Sequence, residues 1–192
     1  MRIDYTRKIV FLANTKVAST SLEAALMRVG STLGRIDGHS TLKHINYRGY
    51  EQIQNTIGTK GFKTICVIRH PLSKAMSWYK YRSRPELDGQ PRSTKGKTFA
   101  EFVSSVNLNE IDDRLFINGA DGQPGVDYVF KYERLGVLED WLKSIYGDAF
   151  AMPESNVSPS LSFDVDTSSF IKRFGDVVDW YESVPDTPVD IG

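Results

Sequence analysis

The chain has 192 residues and 40% hydrophobic content, enough to bury one sizeable core but not two ordinary domains, so residues 1–192 are expected to form a single domain. Its 24 basic and 24 acidic side chains cancel, which excludes global steering towards nucleic acid or an anionic membrane and makes any anion site local. No apolar run approaches the ~20 residues of a membrane-crossing helix, and the charged stretch Met1 to Arg7 has no signal-peptide apolar region behind it, so a soluble, cytoplasmic protein is expected.

Lys8-Ile9-Val10-Phe11-Leu12-Ala13 is a β-branched and aromatic run that predicts a buried strand. After a polar turn, Leu22, Ala25, Leu26 and Val29 recur at helical spacing and predict a helix ending near Gly30. The same order returns at Thr64 to Ile68, followed by Arg69-His70-Pro71 and then Leu72, Ala75, Met76 and Tyr79, with Pro71 suited to a first helical turn. The single cysteine, Cys66, lies in that apolar run without a partner for a disulfide or metal site. It reads as a small core residue in a reducing compartment.

Residues 82–97 hold two prolines, two glycines and many charges, and read as a mobile excursion. Thr98 and Glu101 then have capping-box spacing ahead of the apolar face Phe99, Phe102, Val103 and Val106. A third strand and helix follow as Tyr128-Val129-Phe130 with Leu138, Trp141, Leu142 and Ile145. From Pro153 the chain is loop-rich, with a further helix expected around Phe170 to Tyr181 and a flexible tail over 182–192. Repeated strand and helix units predict an α/β, P-loop-like three-layer fold, with a central, mainly parallel sheet flanked by helices.

Asn14-Thr15-Lys16-Val17-Ala18-Ser19-Thr20-Ser21 joins the first strand to the first helix. Its N–H groups, hydroxyls and lysine would face an anion at the positive helix end. The order departs from G-x-x-x-x-G-K-[ST], because Lys16 precedes the hydroxyl cluster and the glycines are missing. Taken alone, the octapeptide is equally a helix cap beside a solvated lysine. A second anion motif stands just past the second strand, where Arg69 can fork onto a phosphate and Ser77 can add a hydrogen bond from the following helix. Two such sites at adjacent strand ends suit a ligand with two separated phosphates.

At these residues the chain resembles the sulfotransferases that use 3'-phosphoadenosine 5'-phosphosulfate (PAPS), in particular their carbohydrate-modifying and small bacterial branches. Lys16 to Ser21 matches that family's loop for the 5'-phosphosulfate. Arg69-His70-Pro71-Leu72-Ser73-Lys74-Ala75-Met76-Ser77-Trp78-Tyr79 fits its pattern R-x-P-x-x-[RK]-x-x-S-x-Y for the 3'-phosphate. Val129-Phe130-Lys131-Tyr132-Glu133 is similar to its third strand, and Asn156-Val157-Ser158 with Asp179 and Tyr181 more loosely to its C-terminal landmarks.

The resemblance implies sulfuryl transfer to a hydroxyl of a carbohydrate, glycolipid or small molecule, with no metal and no nucleic-acid partner. Lys16 would neutralise the departing bridging oxygen, while Val17, Ala18, Ser19, Thr20 and Ser21 would complete the 5' site and Arg69 and Ser77 the 3' site. His39 in Gly38-His39-Ser40-Thr41 is the expected base, with His44 in reserve. His70 would orient the phosphate loop or pack, and Glu133 would anchor the third strand. Trp78, Tyr79 and Tyr81 are expected in the core, and Lys74 is equally a phosphate ligand or a solvated charge. The late arginine-lysine-glycine element of the steroid and phenol branch is missing. The alternatives are an ATP-dependent P-loop kinase and a nucleotide-binding protein without turnover. No motif specifies an oligomeric state.

Overall fold

A computed structural model describes residues 1–33, 40–153 and 163–186. In chain order its elements are β1 (Arg2–Asp4), β2 (Ile9–Leu12), α1 (Ser19–Arg28), β3 (Thr32–Leu33), α2 (Tyr47–Ile53), β4 (Lys63–Ile68), α3 (Pro71–Arg82), α4 (Phe99–Ser105), α5 (Arg114–Ile117), β5 (Tyr128–Lys131), α6 (Leu135–Tyr146) and α7 (Thr167–Ser183).

The strands form one sheet in the order β3-β1-β2-β4-β5. β2, β4 and β5 pair in parallel, with Phe11 opposite Ile65 and Cys66 opposite Val129. β1 runs antiparallel to both β2 and β3, so it alone opposes the common strand direction. This antiparallel strand escapes a reading by hydrophobicity because β1 carries charges. Arg2 and Asp4 are buried there, and Asp4 accepts from the Arg7 backbone N–H and the Tyr146 hydroxyl, both at 2.9 Å.

Side chains of the parallel strands alternate between two apolar layers, which is why β2 and the centres of β4 and β5 are continuously apolar. Ile9, Phe11, Ile65, Val67 and Phe130 pack on Leu22, Ala25 and Leu26 of α1 and on Leu138 and Leu142 of α6. Val10, Leu12, Cys66, Ile68 and Val129 pack on the opposite face against Tyr50, Ile117 and Tyr181 of α2, α5 and α7. Burial pushes the Cys66 thiol well above its ordinary pKa, as befits a core residue.

Beyond the sheet, Ala75 and Tyr79 of α3 pack with Phe99, Phe102 and Val103 of α4 and Phe170, Phe174 and Val177 of α7. α4 starts at the expected capping box, with the Glu101 N–H donating to Thr98 and the Glu101 carboxylate accepting from the Thr98 N–H. The segment 82–97 is tied to this helical layer. Thr94, 3% exposed, donates its hydroxyl to the Tyr79 carbonyl at 2.7 Å, and the Tyr79 hydroxyl donates to the Lys97 carbonyl at 2.5 Å. At the other end, α7 continues to Ser183, past the expected start of the tail, and Asp186 pairs with Lys131 at 3.1 Å and Arg134 at 3.2 Å. No helix among the described residues is long and apolar enough to cross a membrane.

Candidate functional site

The turn from β2 into α1 carries left-handed backbone at two residues that are not glycine, Lys16 at φ 62° and Ala18 at φ 58°. Such a conformation costs an L-residue about 1–2 kcal/mol, so the surroundings must enforce it. Val17, between them, is 1% exposed and belongs to the core, so its side chain clamps the turn and only its backbone is available to a ligand. Ala18 is the N-cap of α1 and supplies no side-chain cap. The hydroxyl residues Ser19, Thr20 and Ser21 are therefore first-turn residues and not the cap. Ser19 and Ser21 are buried and Thr20 is exposed. An uncapped helix start behind a curled turn presents N–H groups and the positive dipole end to one place, an arrangement that favours an anion.

Arg69 follows β4, the neighbour of β2, and reaches back to this turn. Its Nη1 donates to the Lys16 carbonyl at 2.8 Å, its Nε donates to Ser73 Oγ at 2.8 Å, and its guanidinium lies 4.0 Å from the centre of the Tyr132 ring. Both bonds fix the plane of the fork. Burial lowers the Arg69 pKa, but an arginine remains charged. Arg69, Ser73, Ser77 and Lys80 line a cleft of 270 Å³ walled by Leu72 and Met76. The expected pair Arg69 and Ser77 is thus brought together, with Lys80 as a further cation beside it.

The Lys16 ammonium sits over two rings of α3, 4.3 Å from the centre of Tyr81 and 5.3 Å from that of Trp78. Trp78 packs against the helical core layer as expected while Tyr81 is exposed, and together they form the platform for the lysine. Burial first, and then the charges of Arg84, Arg69 and Arg82, push the Lys16 ammonium down to about 8. Tyr79, by contrast, packs in the helical layer against Phe99, Phe102 and Phe163 as expected.

Lys74 corrects the expectation of a solvated charge or phosphate ligand: it is 1% exposed and ion-paired with Asp113, itself 1% exposed. The same carboxylate accepts from the Asn14 side chain at 2.7 Å and from the Arg69 backbone N–H at 2.9 Å. Asn14 also donates to the Val67 carbonyl at 3.2 Å and accepts from the Thr15 N–H at 2.7 Å. One buried, hydrogen-bonded cluster therefore fastens the first loop to the start of the second motif. Asp113 was not legible as part of this cluster, because nothing local distinguishes an aspartate 44 positions from its partner.

The expected base, His39, lies outside the described residues. His44 closes a 3-10 turn over Ser40–His44, with Nδ1 at 2.7 Å from the Ala13 carbonyl. A carbonyl can only accept, so this contact places a proton on Nδ1, and in the neutral ring the lone pair is then on Nε2. His70 lines the same cleft as Arg69 and is held in place there: its backbone N–H donates to Glu133 at 3.2 Å, and its ring meets Tyr181 edge-on. Glu133 also accepts from the Tyr181 hydroxyl at 2.6 Å, joining the end of β4 to α7.

No protein-family profile, no curated protein and no solved structure matches this chain.

Proposed function

We propose that this chain is a sulfotransferase of the P-loop-like three-layer type, moving the sulfuryl group of PAPS to a hydroxyl acceptor in the cytoplasm. The observation that supports it is the convergence of two anion-suited segments at the carboxyl ends of adjacent parallel strands, joined by the Arg69–Lys16 hydrogen bond. A donor with phosphates at both ends of one nucleoside would engage both segments, and the apolar walls Leu72 and Met76 suit its nucleoside.

In this reading Arg69 and Ser77 hold the 3'-phosphate, and Lys80 adds charge at the same cleft. The N–H groups of the first turn of α1, with Ser19 and Ser21, hold the 5'-phosphate. The acceptor hydroxyl gives its proton to His44 Nε2 as its oxygen bonds to sulfur. The bond from sulfur to the bridging oxygen breaks, its electron pair stays on the 5'-phosphate, and Lys16 neutralises that charge. Little covalent help is needed, so positioning and electrostatics carry the rate.

Thermal unfolding with 3'-phosphoadenosine 5'-phosphate, beside ADP and ATP with Mg²⁺, tests the reading. At roughly 100-fold excess over its dissociation constant a native-state ligand adds about 2.7 kcal/mol, or roughly 5–11 °C for this length. Selective stabilisation by the bisphosphate, diminished in Ser77→Ala, is expected. Stabilisation by Mg²⁺-ATP alone would move the chain to the kinases, and no response to any nucleotide would overturn a nucleotide site.

A further inference from the structure

Helix α3 has a second working side. Trp78, Tyr81 and Arg82 line a separate cleft of 150 Å³, closed by Leu87, Gln90, Arg92 and Ser93 of the following segment. That volume is about what one six-membered ring occupies, and far less than a nucleotide needs. Its aromatic walls are the two rings that carry the Lys16 ammonium. The cleft therefore adjoins the group at which the proposed donor would react.

The charge around the cleft is one-sided. Arg82 lies 4.9 Å from the Trp78 ring centre and Arg84 4.9 Å from that of Tyr81. Glu110 answers Arg82 at 2.5 Å and Arg92 at 3.7 Å, so one carboxylate is shared between two guanidiniums. Asp88 of the same segment is taken by Lys95, and Glu86 sits on an exposed 3-10 turn over Pro85–Leu87. Arg84 has no ion pair among the described residues, and the Arg92 side chain is 74% exposed. Two guanidiniums thus retain donor capacity, Arg92 in the lining of the aromatic slot and Arg84 over the Tyr81 ring that walls it.

We propose that this cleft is the acceptor subsite and that the acceptor is a ring-bearing anion, its ring on Trp78 and Tyr81 and its acidic group on Arg84 and Arg92. The assignment of the bound molecule as acceptor rests on the sulfuryl-transfer reading, whereas the preference for a ring with an acid rests on the cleft alone. Aryl acids and acidic sugars share this chemistry. The aromatic walls stack on the ring and exclude water from one side, and the two arginines select the charged form over its neutral counterpart.

Titration calorimetry on the full chain separates these points. The bisphosphate is added first and its binding recorded. Then 4-hydroxybenzoate is compared with 4-hydroxybenzamide, and methyl glucuronide with methyl glucoside. At least one acid is expected to bind about tenfold more tightly than its neutral partner, equivalent to about 1.4 kcal/mol, and which one does identifies the source of the ring. The preference is expected to vanish in the double variant Arg84→Gln, Arg92→Gln, with the melting temperature of that variant recorded to show that it folds. Equal affinity for acid and neutral partner, a preference that survives the double variant, or no binding of any probe overturns the proposal. An acid preference in a protein that ignores the bisphosphate keeps the subsite and removes the donor reading.

Discussion

The Arg69 guanidinium donates to the Lys16 carbonyl at 2.8 Å, in a turn where Lys16 itself is held left-handed at φ 62°. One side chain thereby braces the backbone of the loop that carries the proposed catalytic lysine, while standing at the second proposed anion site. Lysine at position 69 would keep the charge and lose the fork that spans Ser73 and Lys16. Arg69→Lys is expected to weaken the bisphosphate about 10- to 100-fold. Calorimetry checks this, and an affinity within about threefold of the parent would show that charge alone suffices.

The buried Lys74–Asp113 pair predicts a stability pattern. Removing either charge strands the other among fully buried atoms, so Lys74→Met and Asp113→Asn are each expected to cost about 3–5 kcal/mol, or roughly 6–20 °C in melting temperature. The double variant leaves no unpaired charge and is expected to lose less than the sum of the two singles. Additive losses in thermal unfolding would mean that the pair does not act as a unit.

Lys16 makes the site sensitive to pH. Its folded pKa, lowered to about 8 from an unfolded value near 10.5, means that the unfolded chain holds the proton across that window while the folded chain has released it. Stability from this group therefore rises as pH increases from about 8 to about 10.5, and is at its least below 8. Lys16→Met should flatten that rise in denaturant titrations. A bound phosphate restores the ammonium, so bisphosphate binding near pH 9 is expected to take up protons. The heat of binding would then depend on the ionisation enthalpy of the buffer, and a buffer-independent heat would place the anion away from Lys16.

Ala18 holds a left-handed conformation that glycine adopts freely. Ala18→Gly is expected to stabilise the fold by about 1 kcal/mol, or roughly 2–4 °C, despite the added freedom of the unfolded chain. A fall in melting temperature would show that contacts of the Ala18 methyl outweigh the strain.

His44 and His39 can be separated by substitution. Asparagine at position 44 keeps a donor for the Ala13 carbonyl but offers no ring nitrogen, so under the sulfotransferase proposal His44→Asn should lower turnover of PAPS about 10²- to 10⁴-fold with little change in bisphosphate affinity. Turnover that persists in His44→Asn and collapses in His39→Ala would return the base to position 39.

The strands around Val10, Cys66 and Val129, the helices after them and the Thr98–Glu101 capping box were legible in the sequence, because periodicity and capping act between neighbours a few residues apart. The same holds for Lys16 and Arg69, just past strand ends, and for Ser77 on the helix that follows, since their places follow from local order. Four features needed the folded chain: the charged antiparallel strand β1, the burial of Lys74 on Asp113, the stacking of Lys16 on Trp78 and Tyr81, and the anchoring of residues 82–97 through Thr94. Each depends on partners far away in the chain. A buried charge, a cation on a ring and a tethered loop are stabilised by what stands across from them, and only tertiary packing brings those partners within reach.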